Sequence, residues 1–255
     1  MIAIIQLGNK SCTIDLNKPI DISIPLQNGG KNPKAWYAPD PSYKPLHAGD
    51  FTGSLKQGSP VNFFNVFFNP HGNGTHTECA GHIIDDEDLT INQCLRTFFF
   101  EAQLVSIEPE IKSSDKVITV EQVKDIIDPT VKALIIRTLP NNDDKLLRNY
   151  SGRNPCYLDQ LATQHLVDIG IEHLLIDLPS VDRELDEGKL LSHHTFWQTD
   201  GNLRKQATIT EFIYVNEYIK DGKYMLNLQI TSMELDASPS KPVLYKIEEE
   251  STSME

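Results

Sequence analysis

A chain of 255 residues carries 36 acidic against 23 basic side chains, a formal net charge of −13, with 39% hydrophobic residues. This is the make-up of an ordinary soluble globular protein with an acidic surface. It argues against nucleic acid or anionic membrane as main partners, since both need basic patches, and the length allows one large domain or two small ones. Cys12, Cys79, Cys94 and Cys156 form no Cys-x-x-Cys pair, so reduced thiols fit better than a zinc ribbon or disulfide framework. The opening Met-Ile-Ala-Ile-Ile-Gln-Leu lacks a basic leader, and no apolar run approaches a membrane span. The expectation is a cytoplasmic protein.

Residues 1–26 read as short strands: the apolar opening, Cys12 to Leu16, and Asp21 to Leu26. From Gln27 to Pro60, Gly, Pro, Asn, Lys and Tyr dominate without helical period, predicting a long flap or excursion. Trp36, Tyr37 and Tyr43 either line a substrate pocket from that flap or pack it onto the body. Val61 to Phe68 is a β-prone run that leads into the next stretch and would scaffold it.

That stretch, Asn69 to Ile83, is the centre of the sequence. His71, His76, Glu78 and His82 fall within twelve positions, interleaved with Gly72, Gly74 and Gly81. Three imidazoles and a carboxylate suit zinc and other first-row divalent ions. The glycines predict a turning loop rather than a helix face. An extended backbone would aim His76 and Glu78 the same way, with His82 returning after a turn at Gly81. The alternative is a plain cluster of surface polar residues, and Cys79 is either a further ligand or a small buried filler.

Further along, Asp85 to Asp88 reads as a solvated turn, and Thr97 to Ile107 as a strand buried on both faces. Thr119 to Gln122 has capping-box form and opens a short helix, and Ala133 to Arg137 is an apolar strand. Leu158, Leu161, Ala162, His165, Leu166 and Ile169 follow helical spacing up to Gly170, which makes His165 a boundary histidine rather than a ligand. His173 to Asp177 and Ala207 to Val215 are strands. Tyr224 to Thr231 alternates as a half-buried one. No repeat or composition break demands a second domain.

Gly74-Thr75-His76-x-Glu78-x-x-x-His82 resembles the His-x-Gly-Thr-His-x-Asp-x-Pro-x-His signature of the metal-dependent cyclase/hydrolase family. That family includes bacterial kynurenine formamidases and isatin hydrolases. Glu78 stands for Asp, Ala80 for Pro, and Gly72 for the first His, with His71 one residue too early unless the loop bulges. Ile14 to Ile20, the run Ile176-Asp177-x-Pro179-Ser180-Val181-Asp182, the pair His193-His194 followed by a strand bearing Glu211, and Asp236 to Pro239 resemble further family segments.

The resemblance implies an α/β single domain over residues 1–247, a swivelling β/β/α-type fold with a mixed β core and flanking helices, ahead of a disordered 248–255 tail. It implies His76, Glu78, His193 and Glu211 as ligands of one or two divalent ions, zinc or manganese, with His71 as a substitute ligand. His82 is the implied catalytic proton carrier and Thr75 the implied orienting hydroxyl. The expected function is hydrolysis of a carbon–nitrogen bond in a small amide or cyclic amide, arylformamidase-like, by a homo-oligomer (dimer or tetramer). The alternatives are an idle member that only binds a small ligand or metal, and an acidic interaction protein without metal.

Overall fold

The computed structural model describes residues 1–249 of the chain. Its centre is the apolar run at Ala133–Thr138, buried at every position. A strand covered on both faces has no reason to alternate, and such runs belong in the middle of parallel sheet. Seven strands surround the core: β1 (His76–Glu78), β2 (Phe99–Ile107), β3 (Ala133–Thr138), β4 (His173–Ile176), β5 (Thr208–Glu211), β6 (Gly222–Ile230) and β7 (Ala237–Lys246). Their hydrogen-bonded order is β6-β2-β3-β4-β5-β1-β7, and β7 pairs back onto β6, so the sheet closes into a barrel. Closure removes the open edges that a flat sheet would expose.

Strands β2 to β5 run parallel, while β1 and β6 run against their neighbours. Two registers decide where chemistry can sit. On one side of β1, Glu211 lies opposite His76; on the other, Ala237 lies opposite Glu78, which brings Asp236 alongside. Helices α1 (Gln160–Asp168) and α2 (Leu191–Trp197) flank the barrel. Asp159 caps α1 by accepting from the Ala162 N–H at 2.8 Å, and α2 buries Phe196 and Trp197. This is the single mixed-sheet domain with flanking helices that the resemblance implies.

Local expectations differ in several places. Ile20–Asp21 is all that becomes strand in the 20–26 region, because the chain there is taken up in single contacts such as the Ile24 N–H to Thr75. Phe99 is exposed rather than buried, as is Leu161 on α1. The His193–His194 pair lies in α2. Val61 to Phe68 supplies only Phe64–Phe67 as strand, paired with Ser42–Pro45 outside the barrel and exposed throughout. It is therefore no buried scaffold for the loop after it. Glu248–Glu249, placed in the tail by the sequence, pair with Lys10–Asp15, and residues 250–255 lie outside the described residues. Among the described residues, no helix is long and apolar enough to cross a membrane.

Candidate metal centre

Strand β1 explains why the histidine loop is ordered. His76, Thr77 and Glu78 are all buried on it, and the extended backbone sends His76 and Glu78 to one side. A short turn at Ala80–His82 then returns His82 toward Glu78, its Nε2 standing 3.9 Å from Oε2. Glu78, 1% exposed, is the hub: His71 Nδ1 lies 3.1 Å from one oxygen and His193 Nε2 3.1 Å from the other. Burial alone would raise its pKa, but His82, His193 and His71 hold it well below the usual carboxylate range.

His193 is the buried member of its pair; its Nδ1 meets Asp182 Oδ2 at 2.6 Å. His194 instead meets Thr199 at 2.7 Å and takes no part. Asp182 also accepts the backbone N–H groups of Ser192 and His193 at 2.7 and 3.1 Å, so it fixes the start of α2 and the ring together. His71 is held likewise between Glu78 and Asp236, the latter at 2.8 Å. Burial opposes charge on both rings, yet the paired carboxylates push His71 and His193 up to about 10. Asp236 also accepts from His82 Nδ1 at 3.2 Å, and the rings of His71 and His82 stack at 4.2 Å.

His76 and Glu211 form the other half of the site. His76 Nδ1 donates to the Gly74 carbonyl at 2.9 Å, which turns Nε2 into the site. That Nε2 faces Glu211 Oε2 at 3.4 Å. Both His76 Nε2 and Glu211 Oε1 are buried without a hydrogen-bond partner. Buried polar atoms are rarely left unpaired, so the two mark a place for a partner that the chain itself does not supply. Burial and the charge of Glu78 raise the Glu211 pKa, with His76 opposing. Donor atoms of Glu78, His82 and His193 lie within 4.8 Å of one another, as do those of His71, His76 and Glu78 and those of His71, His82 and Asp236. Histidine and carboxylate donors at such spacing fit a divalent ion.

The structure gives a reason for the departure at Gly72. A Cβ built there would lie 2.4 Å from the Ala38 Cβ and 3.3 Å from the Ala35 carbonyl. The backbone of residues 35–38 is pressed against it, with the Ala35 N–H donating to the Gly72 carbonyl at 3.1 Å. A histidine at 72 has no room, and His71 enters the cluster from the neighbouring position.

Thr75 does not touch a candidate ligand side chain. Its hydroxyl donates to the Phe212 carbonyl at 2.5 Å and accepts from the Ile24 N–H at 2.7 Å. It thus pins the chain just past Glu211, where Phe212 sits at a φ of +54° between His76 and Tyr150. A bulky residue with positive φ stores strain, here next to a candidate ligand. Trp36 lines the cavity over the cluster, about 220 Å³, with Pro179, Ser180, Arg183 and Leu190. Tyr37 and Tyr43 do not. Tyr37 is 80% exposed, and the Tyr43 hydroxyl donates to the Leu26 carbonyl at 2.9 Å. Cys79 is a buried filler whose thiol donates to the Leu89 carbonyl at 3.1 Å.

Sequence reasoning gave no role to Asp182 or Asp236. Both lie in segments that resemble the family, but Asp182 reaches its histidine because its loop folds back on α2, and Asp236 because β7 lies beside β1, which no local spacing reveals.

A family profile described as "Putative cyclase" matches residues 20–183. None of the curated proteins searched matches the chain. Among solved structures, a potential metal-dependent hydrolase with cyclase activity is 18% identical at a TM-score of 0.63, over 90% of this chain and 98% of that one. A predicted metal-dependent hydrolase from Bacillus stearothermophilus is 17% identical at 0.61, over 89% and 98%. An isatin hydrolase bound to the product analogue thioisatinate is 13% identical at 0.64, over 90% and 92%.

Proposed function

The chain belongs to the cyclase family whose profile it matches, and on that premise we propose that it hydrolyses a carbon–nitrogen bond of a small amide or cyclic amide, an arylformamidase-like reaction. The observation that carries the reading is the pair of unpartnered buried atoms, His76 Nε2 and Glu211 Oε1, beside the Glu78 hub. His76, Glu78, His193 and Glu211 would hold one or two divalent ions, zinc or manganese, with His71 beside them. When bound, such an ion acidifies water toward neutral pH and polarises a carbonyl oxygen.

The chain's own residues do the rest. Asp182 fixes the ring of His193 so that Nε2 points at the hub. The Asp236 carboxylate accepts from His82 Nδ1, which leaves Nε2 turned toward the cavity as the group that takes a proton from water and delivers it to the departing nitrogen. The cavity of about 220 Å³ admits a small substrate, and Trp36 offers it one aromatic face. All four cysteines are free and buried, which suits a reducing compartment such as the cytoplasm.

The test is metal content after purification without added metal or chelator, followed by turnover of formamides, cyclic amides and lactones. Stoichiometric zinc or manganese that disappears in His76→Ala supports the reading. His82→Ala should keep the metal and lose turnover by about 100-fold or more. Full metal with unchanged turnover in that variant would remove the proton-carrier role. Metal without any turnover would leave a binding protein, and no metal even after addition would overturn the hydrolase.

A further inference from the structure

A second cavity, about 410 Å³, opens where the chain leaves β3 at Thr138. Leu178 lines it, and the next residue, Pro179, lines the cavity over the candidate metal centre. Adjoining residues thus serve two separate hollows. Lys116, Lys145, Arg148 and Arg153 contribute to the wall of the second one and no carboxylate does, although the chain carries 36 acidic residues against 23 basic ones. Like charges gathered around one hollow repel, so the partners of each decide what charge is left.

Lys145 leaves none. Its buried Nζ meets Asp177 at 2.8 Å and donates to the Thr138 carbonyl at 2.6 Å, with the Thr138 hydroxyl and the Asn141 side chain also in reach. Arg148 is shared with Asp144 at 2.6 Å, in a pair open to solvent that holds weakly. Lys116 and Arg153 pair with no carboxylate among the described residues. Tyr150 adds a donor. It is 3% exposed and lies under the Arg148 guanidinium, 5.4 Å from its ring. Burial pushes its pKa up, so the phenol keeps its proton. That O–H reaches no carbonyl or carboxylate among the described residues, and a buried donor without an acceptor calls for one. Leu139, Pro140 and Pro155 line the cavity beside these donors with apolar surface.

We propose that this cavity binds a small organic anion, its carboxylate or phosphate head held by Lys116, Arg148, Arg153 and the Tyr150 hydroxyl, its apolar body against the leucine and prolines. Guanidinium groups suit such heads because they offer paired N–H donors to two oxygens at once. The unpaired cations and the orphan phenol are all donors, so an anion satisfies them together, where a cation or a neutral amine would not. The cavity is also larger than the one over the candidate metal centre, which leaves room for a body behind the head.

A metal centre can take anions too, so the test must separate the two sites. Titration calorimetry with phenyl phosphate, benzoate and neutral benzyl alcohol does so, on the wild type, His76→Ala and Lys116→Gln/Arg153→Gln. Lys116 and Arg153 are exposed, so their replacement leaves the fold intact. The expected result is one site per chain for at least one of the two anions, and which of them binds identifies the head. Binding should survive in His76→Ala and weaken at least about 10-fold in the double variant. Binding lost in His76→Ala but kept in the double variant puts the anion on the candidate metal centre and overturns the proposal. No heat from either anion up to millimolar concentration overturns it, as does equal binding of benzyl alcohol. Should His76→Ala fail to fold, hydrogen exchange on the wild type decides. Protection at 148–156 on adding the anion supports the proposal, and protection confined to 76–82 overturns it.

Discussion

The arm at 42–67 and the loop at 69–83 adjoin in sequence and depart from ordinary burial in opposite senses. In the loop, His76 and Glu78 are buried to within 1%, where ionisable groups survive only when paired or bound to a cation. In the arm, phenylalanines and valines that would fill a core stand in solvent. Each inversion costs free energy in the isolated chain, and for the loop a bound ion would offset it. Together the two stretches mark where this fold departs from self-sufficiency.

Asp182→Asn sharpens the contrast most. The change keeps the side chain's shape but cannot hold His193 as strongly through Nδ1. Removing such a support around a metal ligand typically lowers affinity 10–100-fold. Competition with a chromophoric chelator should show that loss while sedimentation of the variant stays as in the wild type. An unchanged affinity would show that the His193 ring is held without Asp182.

Proton release gives a smaller effect with a definite sign. In the metal-free site, His71 and His193 are pushed up to about 10 by their carboxylates. Their raised values therefore stabilise the metal-free fold fully below the ordinary histidine pKa near 6.5, and that stability is lost as pH rises through about 10. An incoming ion needs their lone pairs, so each must give up a proton. Affinity should climb between neutral pH and about 10, up to about tenfold per pH unit for each proton released. Titration calorimetry in two buffers of different ionisation enthalpy counts the protons. Zero release would mean that neither ring becomes a ligand.

The loop was far more legible than the arm. His76, Glu78 and His82 share a short sequence signature; extended backbone aims the first two the same way, as β1 does, and the turn at Ala80–His82 returns the third. The buried run at β3 could be read because a strand between parallel neighbours needs no alternation. Barrel closure through β6 and β7 could not, since half-buried alternation looks the same in an open sheet. Asp182 and Asp236 were hidden for a related reason: each reaches its histidine across more than a local turn of chain, by 11 and 154–165 residues. In the arm, 27–60 reads correctly as an excursion from the body, and only its last part misleads. Val61 to Phe68 has the composition of a core strand, and composition records what a segment prefers to touch, not whether its own chain supplies it.

Gly72 is where the two stretches are tied, and it gives the smallest effect. The chain enters the arm after residues 35–38 and leaves it before 69–72, and the two ends meet at this glycine through the Ala35–Gly72 hydrogen bond and the close approach of Ala38. In Gly72→Ala the added methyl would stand 2.4 Å from the Ala38 Cβ, so the clamp must open. Overpacking of this kind costs about 1–3 kcal/mol, which in a domain of this size lowers Tm by roughly 5 °C. Because His71 is the adjacent residue, metal affinity should fall with Tm. An unchanged Tm would show that residues 35–38 simply drift aside. Gly72→His would then be the variant to make, since a loosened clamp leaves room for the imidazole that the family places there.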